Sequence, residues 1–230
     1  MRRDVSVDPR DLACRQRGGI LSPERRRALA AAAAYLRCPV CADPLRLGGS
    51  RLACGRDHGF DIARHGYVNL TAGRAGPGTA DTSAMVAARE RFLGRGHYQP
   101  LAAAVQSLAA QHDGGMPGLV ADLAGGTGYY LAGVLESLPH RHGACLDLSV
   151  PALRRAARAH PRAAALGADV WQPLPLADRS AVLVLSIFGP RNAAETSRIL
   201  TPRRDPDHSR ARHRALARTP AARHDQHRPA

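Results

Sequence analysis

Lysine is absent from this sequence. All 33 basic residues are arginine, set against 19 acidic ones, and the net charge is +14. An arginine bias in coding explains the missing lysine but not the positive excess. An anionic partner is therefore expected, nucleic acid first, because guanidinium forks suit phosphate and stack on bases. Long apolar runs are missing too. None approaches the roughly 20 residues of a membrane-crossing helix, so no membrane partner is expected. Arg2-Arg3 is not followed by an apolar segment, which argues against a secretion signal. Cysteine is scarce: five in 230 residues, two of them as Cys38-Pro39-Val40-Cys41. That usage suits a metal site in a reducing compartment better than disulfides, and a cytoplasmic location is expected.

What is present reads as an N-terminal arm and short helix (1–34), a zinc-binding module (35–70), a linker and helix (71–100), a larger domain (101–200) and a disordered Arg-rich tail (201–230). Ser22-Pro23-Glu24 is a helix start, with a capping hydroxyl, proline at the first helical position and an acid near the positive end. In the module Cys38, Cys41, Cys54 and His58 follow the pattern Cys-x2-Cys-x12-Cys-x3-His. Three thiolates and an imidazole in two close pairs are the ligands of a closed tetrahedral Zn²⁺ site, structural rather than catalytic. A redox Cys-x-x-Cys is the alternative, but it has no need of Cys54 and His58. Gly48-Gly49 supplies a hairpin turn between the pairs. Phe60 to Leu70 reads as one alternating strand. So small a module has little core of its own, and the metal is expected to supply most of its folding energy.

The second half alternates strands with helices, which implies a parallel sheet. Its organising stretch is Val120-Ala121-Asp122-Leu123-Ala124-Gly125-Gly126-Thr127-Gly128, an apolar strand running into a glycine turn and then a helix from Leu131 to Leu138. A dinucleotide fingerprint laid on Gly126 and Gly128 needs glycine where Leu131 stands. Aligned from the acid, the stretch resembles the first motif of S-adenosylmethionine (SAM) methyltransferases, with Ala124 in place of that motif's first glycine. A tight turn of any α/β domain is the plain alternative. Further strands end at Asp147, 21 residues after Gly126, at Asp169, and over Ala181 to Phe188. Helices are expected over Met85–Leu93, with Arg89 and Arg91 on the polar face, and over 101–111, 151–160 and 193–200.

The zinc pattern, Phe60-Asp61, Asn69-Leu70, Gly96-His97-Tyr98-Gln99-Pro100, the glycine loop and Phe188-Gly189-Pro190-Arg191-Asn192 occur in one order. Together, from about Tyr35 to Leu200, they resemble the RlmA-type 23S rRNA (guanine-N1)-methyltransferases, which include tylosin- and mycinamicin-resistance members. The resemblance implies an α/β fold, a Rossmann-like SAM-dependent methyltransferase sheet preceded by a small zinc ribbon. It also implies 23S rRNA as substrate and macrolide resistance as a phenotype. By it, Gly126, Thr127 and Gly128, following Asp122, approach the methionine portion of SAM. Asp147 takes the ribose hydroxyls, Asp169 faces adenine and Tyr98 closes over the cofactor. Phe188 stacks on the target guanine, with Arg191 and Asn192 beside it. Helix capping for Asp147, Asp169 and Asn192, and a core position for Phe188, are the plain alternatives. No residue stands out as a general base, so the catalytic residue is left unassigned, and a homodimer is left open. A small-molecule methyltransferase needs no zinc module or arginine excess, and a non-catalytic zinc-ribbon RNA-binding protein needs no glycine loop.

The tail departs from the family. There, the proline matching Pro202 is followed by Gly-Gly and a strand; here Arg203-Arg204-Asp205-Pro206-Asp207-His208 follows. Residues 203–230 hold eight Arg, four His and one Leu, and no Val, Ile, Phe, Tyr or Trp, so they cannot build a core. One back-translation of Arg203 to His208, read one base later, gives Gly-Gly-Thr-Leu-Ile-Thr. The segment is therefore expected to be out of frame, leaving the sheet incomplete at its C-terminus and the enzyme weak. An Arg-rich RNA-binding tail is the rival reading.

Overall fold

The computed structural model describes residues 21–73 and 80–202. The expectations for the N-terminal arm with Cys14, for part of the linker and for residues 203–230 lie outside the described residues. The first helix, α1 (Pro23–Ala33), is capped as its sequence requires, with the Ser22 side chain accepting from the Arg25 N–H at 3.4 Å. Three short strands follow, β1 (Arg46–Gly48), β2 (Arg51–Ala53) and β3 (Gly59–Asp61), forming an antiparallel sheet in chain order. Gly49, at φ +56°, makes the β1–β2 turn in the left-handed region that glycine enters without a Cβ clash.

The stretch from Phe60 to Leu70 is not one strand. It breaks at a turn around Arg64–Gly66, and β4 (Tyr67–Asn69) leaves the ribbon to join a second sheet. Gly66 (φ +91°) makes that break possible. Helices α2 (Ser83–Gly94) and α3 (Gln99–His112) then lead into β5 (Leu119–Leu123), α4 (Tyr129–Ser137), β6 (Gly143–Asp147), α5 (Val150–Ala159), β7 (Ala163–Gly167), β8 (Ala181–Leu185) and α6 (Ala193–Ile199). The second sheet is parallel throughout, in the order β4-β7-β6-β5-β8. From β5 the chain passes to β6 on one side and later to β8 on the other. That reversal opens a crevice at the carboxyl ends of the strands.

Alternation along β5 decides which face each residue serves. Val120 points to a core with Leu131, Val134 and Leu135 of α4 and Leu153, Ala156 and Ala157 of α5. Leu119, Ala121 and Leu123 point the other way, into a core shared with Leu29 of α1, Leu36, Leu45 and Leu52 of the ribbon, and Ile199 of α6. The ribbon is thus not a module with little core. Its buried leucines continue the core of the sheet, and backbone bonds tie the two: Arg37 N–H to Pro175 O (3.0 Å) and Ala177 N–H to Tyr35 O (2.8 Å). β8 ends at Leu185, three residues before Phe188, and Leu200 forms a parallel bridge to Ala181 at its start.

Candidate functional site

Two places bring reactive side chains together. The first is the ribbon's tip. Cys38, Cys41, Cys54 and His58 hold their ligand atoms all within 4.8 Å of one another. Cys41 Sγ lies 3.6 Å from Cys54 Sγ, and His58 Nδ1 lies 3.4 Å from Cys54 Sγ and 3.7 Å from Cys38 Sγ. Tetrahedral Zn²⁺ with Zn–S bonds of about 2.3 Å sets sulfurs about 3.8 Å apart, so this donor set fits the ion. Each pair sits on a tight turn closed by a residue in the left-handed region. Ala42 (φ +62°) donates its N–H to Cys38 O at 2.8 Å, and Asp57 (φ +64°) donates to Cys54 O at 3.1 Å. Burial pushes the Cys54 thiol up, but the Arg56 and His58 backbone and the Cys41 and His58 side chains outweigh it and bring it to about 7.

The second place is a cleft of about 430 Å³ at the crevice. Its floor comes from strand ends: Asp122 of β5, Gly125-Gly126-Thr127 of the following loop, Asp147 of β6, Asp169 after β7, and Ile187–Pro190 after β8. Its roof comes from α2 and the turn before α3, with Asp81, Arg89, Phe92 and Tyr98. Asp147 is braced at both oxygens, Oδ2 accepting from Gly126 N–H at 2.8 Å and Oδ1 from Ser149 N–H at 2.7 Å. Burial raises its pKa, against the pull of those two N–H groups. Asp122 is 2% exposed and its Oδ2 has no hydrogen-bond partner among the described residues. Burial first, then the Asp147 charge, push its pKa up to about 7. The Tyr130 hydroxyl, also lining the cleft, is likewise buried without a partner. Orphaned polar atoms in a roomy crevice mark a place built for a polar ligand.

The glycines of the loop do different work. A Cβ on Gly125 would meet Asp122 Oδ2 at 2.6 Å and Cys145 Sγ at 2.7 Å. Gly126 (φ +58°) faces the cleft. Gly128 (φ +78°) does not line it. It caps α4, and its bare Cα lets Ala156 and Ala159 of α5 approach, a Cβ there standing 3.1 Å from that of Ala159.

Phe188 is 76% exposed at the cleft's rim and holds φ +59°, a conformation costly for a bulky side chain and typical of functional positions. Tyr98 meets it edge-on with ring centroids 5.6 Å apart, and Phe92 packs on Tyr98 at 5.5 Å. Asp169 lines the cleft and also turns its own loop, Oδ1 accepting from Trp171 N–H at 2.9 Å. Asn192 departs from the expected site. It caps α6, Oδ1 accepting from Glu195 N–H at 3.2 Å and Nδ2 donating to Val170 O at 3.0 Å, which uses both ends of its amide. Arg191 is exposed and outside the cleft lining. Sequence reasoning missed Asp81, Arg89, Phe92, Tyr130 and Trp171. Helical spacing put Arg89 on a solvated face, and nothing local showed that this face roofs the cleft.

Residues 36–72 match the family RlmA, N-terminal, a zinc ribbon. The chain is 52% identical over 169 residues to a 23S rRNA (guanine(748)-N(1))-methyltransferase of Streptomyces fradiae, covering 73% of this chain and 60% of that protein. It is 48% identical over 185 residues to a candidate 23S rRNA (guanine-N1)-methyltransferase of Micromonospora griseorubida, covering 73% of this chain and 62% of that protein. A third, from Bacillus subtilis, is 33% identical over 171 residues, covering 71% of this chain and 60% of its own length. The chain therefore spans 60% to 62% of these curated relatives' length. By the ribbon match and these identities, the chain is similar to the RlmA-type 23S rRNA (guanine-N1)-methyltransferases over the part of their length that it spans.

Proposed function

We propose that this chain carries the cofactor cleft and zinc ribbon of an enzyme that methylates N1 of a guanine in a 23S rRNA hairpin, using SAM. The observation that carries the reading is the pair of acids at the strand ends. Asp147 is locked to the glycine loop by the Gly126 N–H at 2.8 Å, and Asp122 Oδ2 is orphaned beside it. An acid at the end of the second strand of such a sheet takes ribose hydroxyls, and Asp147 keeps lone pairs for them beyond its two backbone bonds. Gly126 and Thr127 form the wall against the methionine end, and Asp169 with Trp171 the wall against the base.

SAM, when bound, supplies an electrophilic methyl group. The protein's part is to hold acceptor and cofactor in line, and most of the acceleration is positioning. Phe188 offers a face for an extruded guanine, with Tyr98 and Phe92 fixing its ring. Cys38, Cys41, Cys54 and His58 hold a structural zinc that keeps the ribbon folded. The ribbon and its neighbours grip RNA phosphates. Arg25, Arg64, Arg154 and Arg158 surround His65 and, after burial, lower its pKa together, a concentration of positive charge that suits a nucleic-acid backbone. The rRNA substrate implies a cytoplasmic place of work, and macrolide resistance is the phenotype it predicts.

Incubation with methyl-labelled SAM tests the reading, offering 23S rRNA in one arm and an extract of small metabolites in the other. Label in rRNA at guanine N1 is the expected result. Label confined to small metabolites overturns the rRNA reading, and failure to bind SAM at all overturns the cofactor reading.

A further inference from the structure

Arg89 is the one basic side chain among the described residues that line the cleft, which also carries Asp81, Asp122, Asp147 and Asp169. A ligand derived from methionine brings two cationic groups, the sulfonium and the ammonium, and one anionic group, the carboxylate. The acids suit the first two and repel the third. The carboxylate needs a donor at the methionine end, where the glycine loop stands. Arg89 is placed there. Its Nη1 comes 3.4 Å from the position that a Cβ on Gly126 would take, so guanidinium and loop backbone wall the same corner.

The guanidinium is held at one end of a chain of bonds that runs to the glycine loop. Nη1 pairs with the Asp81 carboxylate. The Asp81 carbonyl accepts from Ser149 Oγ at 2.7 Å, Ser149 N–H donates to Asp147 Oδ1 at 2.7 Å, and Asp147 Oδ2 accepts from Gly126 N–H at 2.8 Å. That chain ties α2 to the ends of β5 and β6 in the cofactor floor. An ion pair serving only to dock α2 would not need to face the cleft. This one does, and a guanidinium with five N–H donors in a fixed fork can serve a second carboxylate while keeping Asp81.

We propose, resting on the SAM reading above, that Arg89 binds the carboxylate of SAM, with Asp81 as the positioning residue that holds the guanidinium over Gly126. The test compares SAM with decarboxylated SAM, which lacks only that carboxylate, by calorimetry on the wild type and on Arg89→Met. Arg89→Met is expected to weaken SAM about tenfold or more, the loss of one charge-assisted hydrogen-bonded pair, and to leave decarboxylated SAM within about twofold. Arg89→Lys is expected to recover part of the loss, keeping the charge without the fork. Unchanged SAM affinity in Arg89→Met overturns the proposal. So does an equal loss for both ligands, which would mark a structural role for α2. A wild type that binds neither ligand instead overturns the cofactor reading on which the proposal rests.

Discussion

The ribbon tip and the cleft are both clusters of polar side chains, yet they are assembled in opposite ways. The four candidate metal ligands come from 21 consecutive residues, Cys38 to His58, on two backbone turns that each close locally. The cleft draws on residues from Ala80 to Pro190, carried by four strand ends, α2, the turn before α3 and the start of α4. The first needs spacing alone. The second needs the strand order, because only the order β6-β5-β8 puts Asp147 and Phe188 on either side of Asp122. A site built from turns is stabilised by its ion. A site built from strand ends is stabilised by the core beneath it, and the ribbon's leucines are part of that core.

The largest test of this contrast is loss of a metal ligand. Were the ribbon autonomous, Cys54→Ser would melt it and leave the parallel sheet untouched. Because Leu36, Leu45 and Leu52 share the core with Leu123, Leu146 and Leu166, the sheet should be destabilised too. The expected cost exceeds about 4 kcal/mol, the range reached by losing a structural metal. Thermal unfolding followed by near-ultraviolet and far-ultraviolet signals should fall together, by about 10 °C. An unmoved sheet transition would show that the ribbon is separable. Metal analysis of protein purified without added zinc should find one zinc per chain, and content near zero in folded protein would remove the premise.

The next effect concerns the acids and has the opposite sign. The folded pKa of Asp122 is raised from 3.8 to about 7, by burial and then by Asp147. A raised folded value means that the native state holds a proton the unfolded chain has released. The stability linked to that proton is complete below about pH 4 and is lost as pH rises to about 7. Asp122→Asn should therefore leave stability near pH 4 unchanged and raise it at pH 8 by up to about 4 kcal/mol, at 1.36 kcal/mol per pKa unit. Asp147, raised in the same direction, leaves a residual slope, and Cys145 and Tyr130 face the same carboxylate and titrate higher. Denaturant unfolding at several pH values measures it, and parallel profiles for wild type and variant would mean that Asp122 is solvated in the native state.

A smaller effect separates loop geometry from fold. Gly126→Val puts a branched side chain at φ +58° facing the cleft. SAM affinity should fall at least about a hundredfold, roughly 2.8 kcal/mol at 1.4 kcal/mol per decade, while the ribbon keeps its metal. The cleft holds Trp171, the single tryptophan of the chain, 63% exposed, so its fluorescence should report binding directly. Unaltered affinity in the valine variant would reduce the glycine loop to a turn.

How much of this was legible in the sequence follows the same division. The ribbon ligands were readable because their chemistry is encoded in four residues at fixed spacing. Strands β5 to β7 were readable because buried parallel strands are short, mostly apolar runs, as Leu119–Leu123 is buried throughout, and β8 was readable as an apolar run although it lies part-buried at the sheet edge. The fate of Phe60 to Leu70 was not. Alternation gives a strand's faces, but it does not say which sheet receives β4. Nor could periodicity place Arg89, since a polar helix face that roofs a cleft has the same pattern as one that meets solvent. For Asn192 the sequence left two roles open, base contact and helix cap, because an asparagine before a helix serves either, and the structure shows its amide engaged in the cap and in a bond to Val170 O.

The smallest effect lies at Ala124, the one position where the glycine loop departs from the motif it resembles. The backbone sets the cost of that departure. Ala124 holds φ +54°, where an L side chain costs about 1 to 2 kcal/mol and glycine costs nothing. Two terms oppose relief of that strain. Glycine adds freedom to the unfolded chain, and the half-buried methyl, which fits against Gly189, is lost. Ala124→Gly should therefore stabilise the fold by less than the full strain, about 0.5 kcal/mol, in a domain where most substitutions destabilise. The accompanying change at Gly189 sharpens the point. A Cβ there would stand 3.0 Å from that of Ala124, so Gly189→Ala should be costly in the native loop and less costly once residue 124 is glycine. Chemical denaturation of the two single variants and the double variant measures that coupling. Additive costs would mean that the two loops do not touch, and that the β5 and β8 ends forming the cleft floor are positioned independently.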